Sequence, residues 1–171
     1  LAGGVITTLK LPSTKEDPSQ AVIDGIRQIL DPEIDFALLH GSTVATNALL
    51  ERSGARVVLI TNEGFEDIIE IGRQNRPQLY ALVGHRPPPL VHRPDRLGVT
   101  GRIGPTGDEI SPLDQQQVAE LPEAVSELGA ESIAISLLHA YANDEHERVL
   151  SKAVEALGLP LSVSSVLVPE F

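Results

Sequence analysis

The stretch FALLHGSTVATNALLERSGARVVLIT, residues 36–61, sets the expected architecture of this chain. An apolar run, Phe36 to Leu39, reads as a buried strand. Gly41, Ser42 and Thr43 then turn the chain, and an apolar-faced segment runs to Gly54, a natural left-handed helix cap. Residues 57–61, rich in β-branched side chains, read as a second strand. At such a strand–turn–helix junction the first helical N–H groups lack partners inside the helix. Backed by the positive end of the helix dipole, they suit an anion or a polarised carbonyl. The bland alternative is that Ser42 or Thr43 simply caps the helix.

Outward from this stretch the pattern alternates. Asp17-Pro18-Ser19-Gln20 opens a helix with Asp17 as N-cap, Pro18 at the first helical position and Gln20 as reciprocal cap. Val22, Ile26, Ile29 and Leu30 form its apolar face. Asn62-Glu63-Gly64 leads into a short helix over 65–71, closed by Gly72. Asp114 and Gln117 form a second capping pair, and Val118, Leu121, Val125 and Leu128 line that helix to Gly129, with Pro122 expected to kink or split it. Residues 132–138 read as a buried strand. Asn143 caps a helix with Leu150, Val154 and Leu157 on one face, stopped by Gly158, and 161–166 read as a last strand. Strands separated by helices of this length give an α/β fold with a mixed, partly parallel sheet and flanking helices. The whole of 1–171 is expected to form a single α/β domain, which 171 residues can support with roughly 70% of the unfolded surface buried.

The middle differs. Pro77, Pro87, Pro88, Pro89 and Pro94 fall within eighteen residues, so regular structure is not expected there. Residues 99–103 and 109–110 suit a hairpin across Pro105-Thr106-Gly107-Asp108. The same excursion, about 73–102, holds six arginines (Arg73, Arg76, Arg86, Arg93, Arg96, Arg102) and one acid, Asp95; it carries +5 and the remainder −16, within a net charge of −11. Arginine suits bidentate binding of carboxylate or phosphate, and pairing with the acidic remainder is the alternative. An acidic chain with only Tyr80 as an aromatic in this segment does not suit nucleic acid. No apolar run reaches membrane-spanning length, no signal peptide is recognisable, and zero cysteines remove disulfides and thiolate chemistry. A cytoplasmic location is expected. A start at Leu1 without any Met points to a piece of a longer product.

Several strings add to this. Residues 40–52, the run Thr61-Asn62-Glu63-Gly64-Phe65-Glu66-Asp67 with its continuation to Pro77, Arg86-Pro87-Pro88-Pro89-Leu90-Val91, Pro112-Leu113-Asp114, Leu137-Leu138-His139-Ala140-Tyr141 with His146-Glu147, Ser164-Ser165, and Pro169-Glu170-Phe171 occur in order. Together they resemble the N-terminal region of the hydantoinase A/5-oxoprolinase family. The resemblance implies part of an ATP-dependent hydrolase of cyclic amides such as 5-oxoproline or hydantoins, acting by carbonyl phosphorylation with ATP and Mg²⁺, on a fold like part of an actin-like ATPase. It also implies a hydantoinase B-type partner subunit or domain. Related members belong to acetone-carboxylase-type complexes, and a non-catalytic interaction domain is a third possibility. The family's phosphate loop, Asp-x-Gly-Gly-Thr, does not occur here; Gly3-Gly4 is followed by Val5, and residues 1–10 are read as the strand after that loop. The isolated chain is therefore expected to be inactive.

The candidate residues follow from chemistry. His40 is a donor or proton-transfer group, and Thr43 joins it as catalytic. Gly41 permits close backbone approach, Ser42 and Thr46 supply hydroxyls, and Asn47, one turn after Thr43, suits a substrate amide. Arg73, Asn75 and Arg76 suit a substrate carboxylate or a phosphate. His139, Asp144, His146 and Glu147 lie within nine residues, as metal ligands can. Yet Asp144 and Glu147 suit a helix N-terminus and His139 ends a buried strand, so a structural role is preferred and no metal site is assigned. Tyr80 and Tyr141 are read as packing or loop-anchoring residues.

Overall fold

Four parallel strands carry the core: β1 (Val57–Asn62), β2 (Arg96–Val99), β5 (Ser132–Ile135) and β6 (Leu161–Val163), in the spatial order β2-β1-β5-β6. This is a computed structural model, and it describes residues 6–14, 17–30, 36–74 and 88–170. These fall into two units divided after Thr43.

The first unit contains helix α1 (Pro18–Ile29). The Asp17 carboxylate accepts from the backbone N–H of Ser19 at 3.0 Å and from the Ser19 hydroxyl at 2.6 Å, and the Gln20 side chain donates to it at 3.4 Å. These bonds hold the Asp17 carboxyl below its ordinary range. Val22, Ile26 and Leu30 are half-buried, as their spacing predicts, while Ile29 is exposed. The expected strand over 36–39 does not form. Residues 36–43 adopt neither helix nor strand, and Leu39 is 96% exposed. A strand needs a neighbour for its backbone groups, and among the described residues no strand pairs with 36–39. Residues 6–10 form no strand either.

The second unit starts with α2 (Val44–Glu51), which ends at Arg52 in the left-handed region (φ 55°) and not at Gly54. In β1 every residue after Val57 is buried, as expected for a strand flanked on both edges. Val58 pairs in register with Ile133 and Ile60 with Ile135; Leu59 pairs with Arg96 and Asn62 with Val99. Helices α4 (Gln115–Glu127) and α5 (Glu145–Val154) pack on each other and place Leu121, Val125, Leu150 and Val154 in the core with those strands. Asp114 caps α4 through the N–H groups of Gln116 and Gln117. The Gln117 side chain does not return to the cap but accepts from Thr100 N–H and Oγ1 at 2.9 and 2.8 Å. Pro122 does not split α4: losing one hydrogen bond is offset by burial of Leu121 on the same turn.

The antiparallel component is a separate ribbon of β3 (Arg102–Ile103) and β4 (Glu109–Ser111) across the expected turn. Strand β2, just before it, lies inside the Pro/Arg-rich excursion and covers 96–99, where the sequence reading places a strand only from Val99. The last strand stops at Val163 and passes into α6 (Ser164–Leu167). The short helix before Gly72 is α3 (Ile68–Ile71). The partly parallel α/β arrangement thus stands, with its parallel and antiparallel pairings in different sheets.

Candidate functional site

In an open parallel sheet, ligands collect at the carboxyl ends of the strands, where successive loops diverge. Here those ends are joined by buried polar side chains. Asn62, the last residue of β1, is 4% exposed. Its Oδ1 accepts from Leu138 N–H at 2.7 Å and its Nδ2 donates to the Gly101 carbonyl at 2.8 Å, tying the loops after β2 and β5 together. Gly101 adopts φ 106°, and a side chain there would meet Leu113, so this turn requires glycine.

Glu147 is fully buried in the first turn of α5. It does not face solvent at a helix N-terminus, as its position suggests. Oε1 accepts from Leu137 N–H (2.9 Å) and the Ser164 hydroxyl (2.7 Å), and Oε2 accepts from Ser165 N–H (2.9 Å). No lysine or arginine pairs with it among the described residues. Next to it, buried His146 meets Glu109 through Nε2 at 2.8 Å, while its Nδ1 has no partner among the described residues. Asp144 pairs with Arg148 at 3.1 Å. His139, Asp144, His146 and Glu147 therefore go their separate ways, and among the described residues no three such groups converge on a cation position.

The loop after β5 also meets the β3–β4 turn. Asn143 Nδ2 donates to the Gly107 carbonyl at 3.0 Å. The Asp108 carboxyl is held below its ordinary range by the Thr106 hydroxyl first, then by a backbone N–H, with a smaller part from the charge of His139.

The residues singled out in the sequence lie as follows. His40, Gly41, Ser42 and Thr43 end the first unit, all exposed, and the position of a Cβ on Gly41 is open. In the second unit, Thr46 and Asn47 are exposed in the first turn of α2. Arg73 is exposed just after α3. Asn75 and Arg76 lie outside the described residues, as do Arg86 and Tyr80.

Three arginines of the excursion serve the fold. Arg96, its side chain wholly buried, donates to the Val91 carbonyl (3.0 Å) and the Glu66 carbonyl (3.3 Å), and pairs with Asp67 (2.8 Å) and Glu70 (3.0 Å). Arg93 pairs with Asp67 at 3.1 Å, and Arg102 lies 5.0 Å from the centre of the Phe65 ring. Asp95, the one acid of the excursion, meets Arg56 at 2.7 Å. Of the excursion's arginines, the described residues leave Arg73 as the candidate for a ligand. Sequence reasoning missed Asn62, Arg96 and the inward aim of Glu147; the signal available was that Asn62 and Arg96 sit at the ends of apolar or β-branched runs.

Comparison with known proteins agrees with this architecture. The chain is 33% identical to the acetophenone carboxylase gamma subunit of Aromatoleum aromaticum over 81% of its own length and 21% of that protein. It is 30% identical to 5-oxoprolinase 1 of Arabidopsis thaliana over 98% of its length and 16% of that protein. The crystal structure of an ATP-dependent caprolactamase from Pseudomonas jessenii superposes with a TM-score of 0.84 at 29% identity, covering 98% of this chain and 26% of that one. The chain thus spans about a quarter or less of the length of each of these relatives. The family description "hydantoinase/oxoprolinase N-terminal region" matches residues 2–158, and the chain belongs to that family.

Proposed function

We propose that this chain forms part of an ATP-dependent enzyme that opens cyclic amides such as 5-oxoproline or hydantoins. The observation that carries this reading is the fold shared along almost the whole chain with an enzyme described as an ATP-dependent caprolactamase, a hydrolase of a ring amide. When bound, ATP supplies the phosphoryl group that turns the amide carbonyl oxygen into a leaving group. In this reading the chain supplies one wall of the site: Gly41 permits close backbone approach, and Ser42 and Thr46 supply hydroxyls. His40 and Thr43 act at the reacting group, Asn47 meets the amide, and Arg73, Asn75 and Arg76 hold a carboxylate or phosphate. None of the described residues is assigned to Mg²⁺, and the phosphate loop expected for the family is absent from the sequence.

The test is ATP hydrolysis by the full-length protein with 5-oxoproline, hydantoin or caprolactam present. Turnover that depends on one of these rings supports the reading. A second reading, a subunit of an ATP-dependent carboxylase, is favoured by the 33% identity to the acetophenone carboxylase gamma subunit. ATP turnover that requires bicarbonate and a ketone, and ignores ring amides, would select it. Under either reading a hydantoinase B-type subunit or domain completes the enzyme, and the 171-residue chain alone hydrolyses no ATP. Hydrolysis above background by that chain would overturn the one-wall assignment.

A further inference from the structure

At the carboxyl end of β5, His139 stands in the left-handed region (φ 61°). A non-glycine residue is uncommon there and strained, so it persists where its surroundings over-determine it. Here they do. The N–H of Leu137 is held by Glu147 and the N–H of Leu138 by Asn62, both acceptors buried. The carbonyl of His139 accepts from Ala142 N–H at 2.9 Å and Asn143 N–H at 3.3 Å. The backbone on each side is thus fixed, and the ring is aimed by elements that lie far apart in sequence.

The ring is half-buried and set edge-on to Tyr141, with centroids 5.9 Å apart at 78°. Nδ1 lies 3.4 Å from the Tyr141 hydroxyl. Nε2 makes no hydrogen bond with the described residues, and the Asp108 carboxylate is close enough to feel the ring's charge. A Tyr141 O–H that donates to Nδ1 leaves the ring proton on Nε2, a donor at the carboxyl end of the sheet, where ligands bind.

We propose that His139 is a ligand-binding residue whose Nε2–H donates to an anionic oxygen, either of a phosphoryl group or of a ring carbonyl as it gains charge. This rests on the ATP-dependent reading above for its ligand class. It assigns work to a histidine that the sequence alone leaves as structural, and it gives Asn62 and Glu147 the role of positioning that donor.

Two sets of measurements test it. In the first, ¹⁵N-imidazole NMR follows His139 while inorganic phosphate or caprolactam, a ring amide without a carboxylate, is added. A shift of Nε2 with phosphate identifies the phosphoryl oxygen as ligand, and one with caprolactam alone identifies the carbonyl. No shift with either overturns the proposal. Tyr141→Phe should move proton density between the two ring nitrogens.

The second set is kinetic, in the full-length protein. His139→Gly relaxes the backbone, so its thermal midpoint stays at or above the wild-type value while kcat falls roughly 10²–10³-fold, as for the loss of one oxyanion donor. His139→Gln, which keeps a donor near the Nε2 position, should recover activity that His139→Asn does not. A purely structural histidine gives the opposite pattern, with lower stability and unchanged turnover. If the wild-type protein hydrolyses no ATP with any ring amide or ketone, the functional reading fails, and the NMR titration with phosphate still decides the role of His139.

Discussion

Asn62 accepts a hydrogen bond from Leu138 N–H across 76 residues of sequence and, through the other end of the same amide, donates to Gly101. One buried side chain therefore sets the spacing of the two loops that frame the edge of the sheet. Asn62→Leu leaves a buried N–H and a carbonyl without partners and should cost about 3 kcal/mol in urea unfolding. Asn62→Asp keeps the acceptor but turns an oxygen toward the Gly101 carbonyl, so it should also destabilise. Equal stability of all three proteins would show that these loops are held by something else.

Glu147 is a carboxylate satisfied by three donors with no countercharge among the described residues. Glu147→Gln replaces one acceptor oxygen by an amide donor that must face an N–H or a hydroxyl. A loss of about 1–3 kcal/mol is expected from chemical denaturation. Glu147→Ala should lose more, because a cavity joins the unpaired donors.

Arg96, the first residue of β2, makes four hydrogen bonds from a wholly buried guanidinium, to the carbonyls of Val91 and Glu66 and to the side chains of Asp67 and Glu70. Its partners Asp67 and Glu70 are about half exposed and can rehydrate. The cost of Arg96→Lys should therefore be about 2 kcal/mol, below that of a fully buried pair. An unchanged melting midpoint for Arg96→Lys would mean that the fork geometry is immaterial.

Arg73, exposed and unlike Arg93, Arg96 and Arg102 in having no acid or ring against it among the described residues, should act on ligand rather than on stability. Arg73→Ala should leave the melting midpoint within about 1 °C, as for an ordinary surface change. In the full-length enzyme it should raise KM or lower turnover at least tenfold. Loss of stability with normal kinetics would return Arg73 to the scaffold.

Asp108 gives a pH dependence whose sign is fixed. Its folded carboxyl ionises below the ordinary range because the Thr106 hydroxyl and a backbone N–H donate to the charged form. The stabilisation is present above the unfolded value and is lost as pH falls through the folded value. Thr106→Val should move the Asp108 carboxyl titration upward in NMR and flatten the acid limb of the stability profile. An unmoved titration would place the cause elsewhere.

Helices were legible because their signals are local. Asp17 and Asp114 cap the helices that they precede, and Leu121, Val125, Leu150 and Val154 fall on the buried faces that their spacing requires. The β-branched run before Asn62 and the turn at Pro105-Thr106-Gly107-Asp108 were likewise written in neighbouring residues. Strand β2 was hidden because Pro94 and the arginines around it read as loop, and only pairing with β1 makes it a strand.

The sequence by itself determined the α/β class, the caps and buried faces of the longer helices and, through its ordered motifs, the family. The tertiary structure decided which polar groups are buried and what each one meets. It left Phe36, Leu38 and Leu39 exposed and in no strand, turned Arg96 and Glu147 inward, and fixed the loop that presents His139. The reason is physical. A cap or an amphipathic face is settled within a few residues, whereas a buried carboxylate or guanidinium is stable only where distant backbone groups arrive to satisfy it.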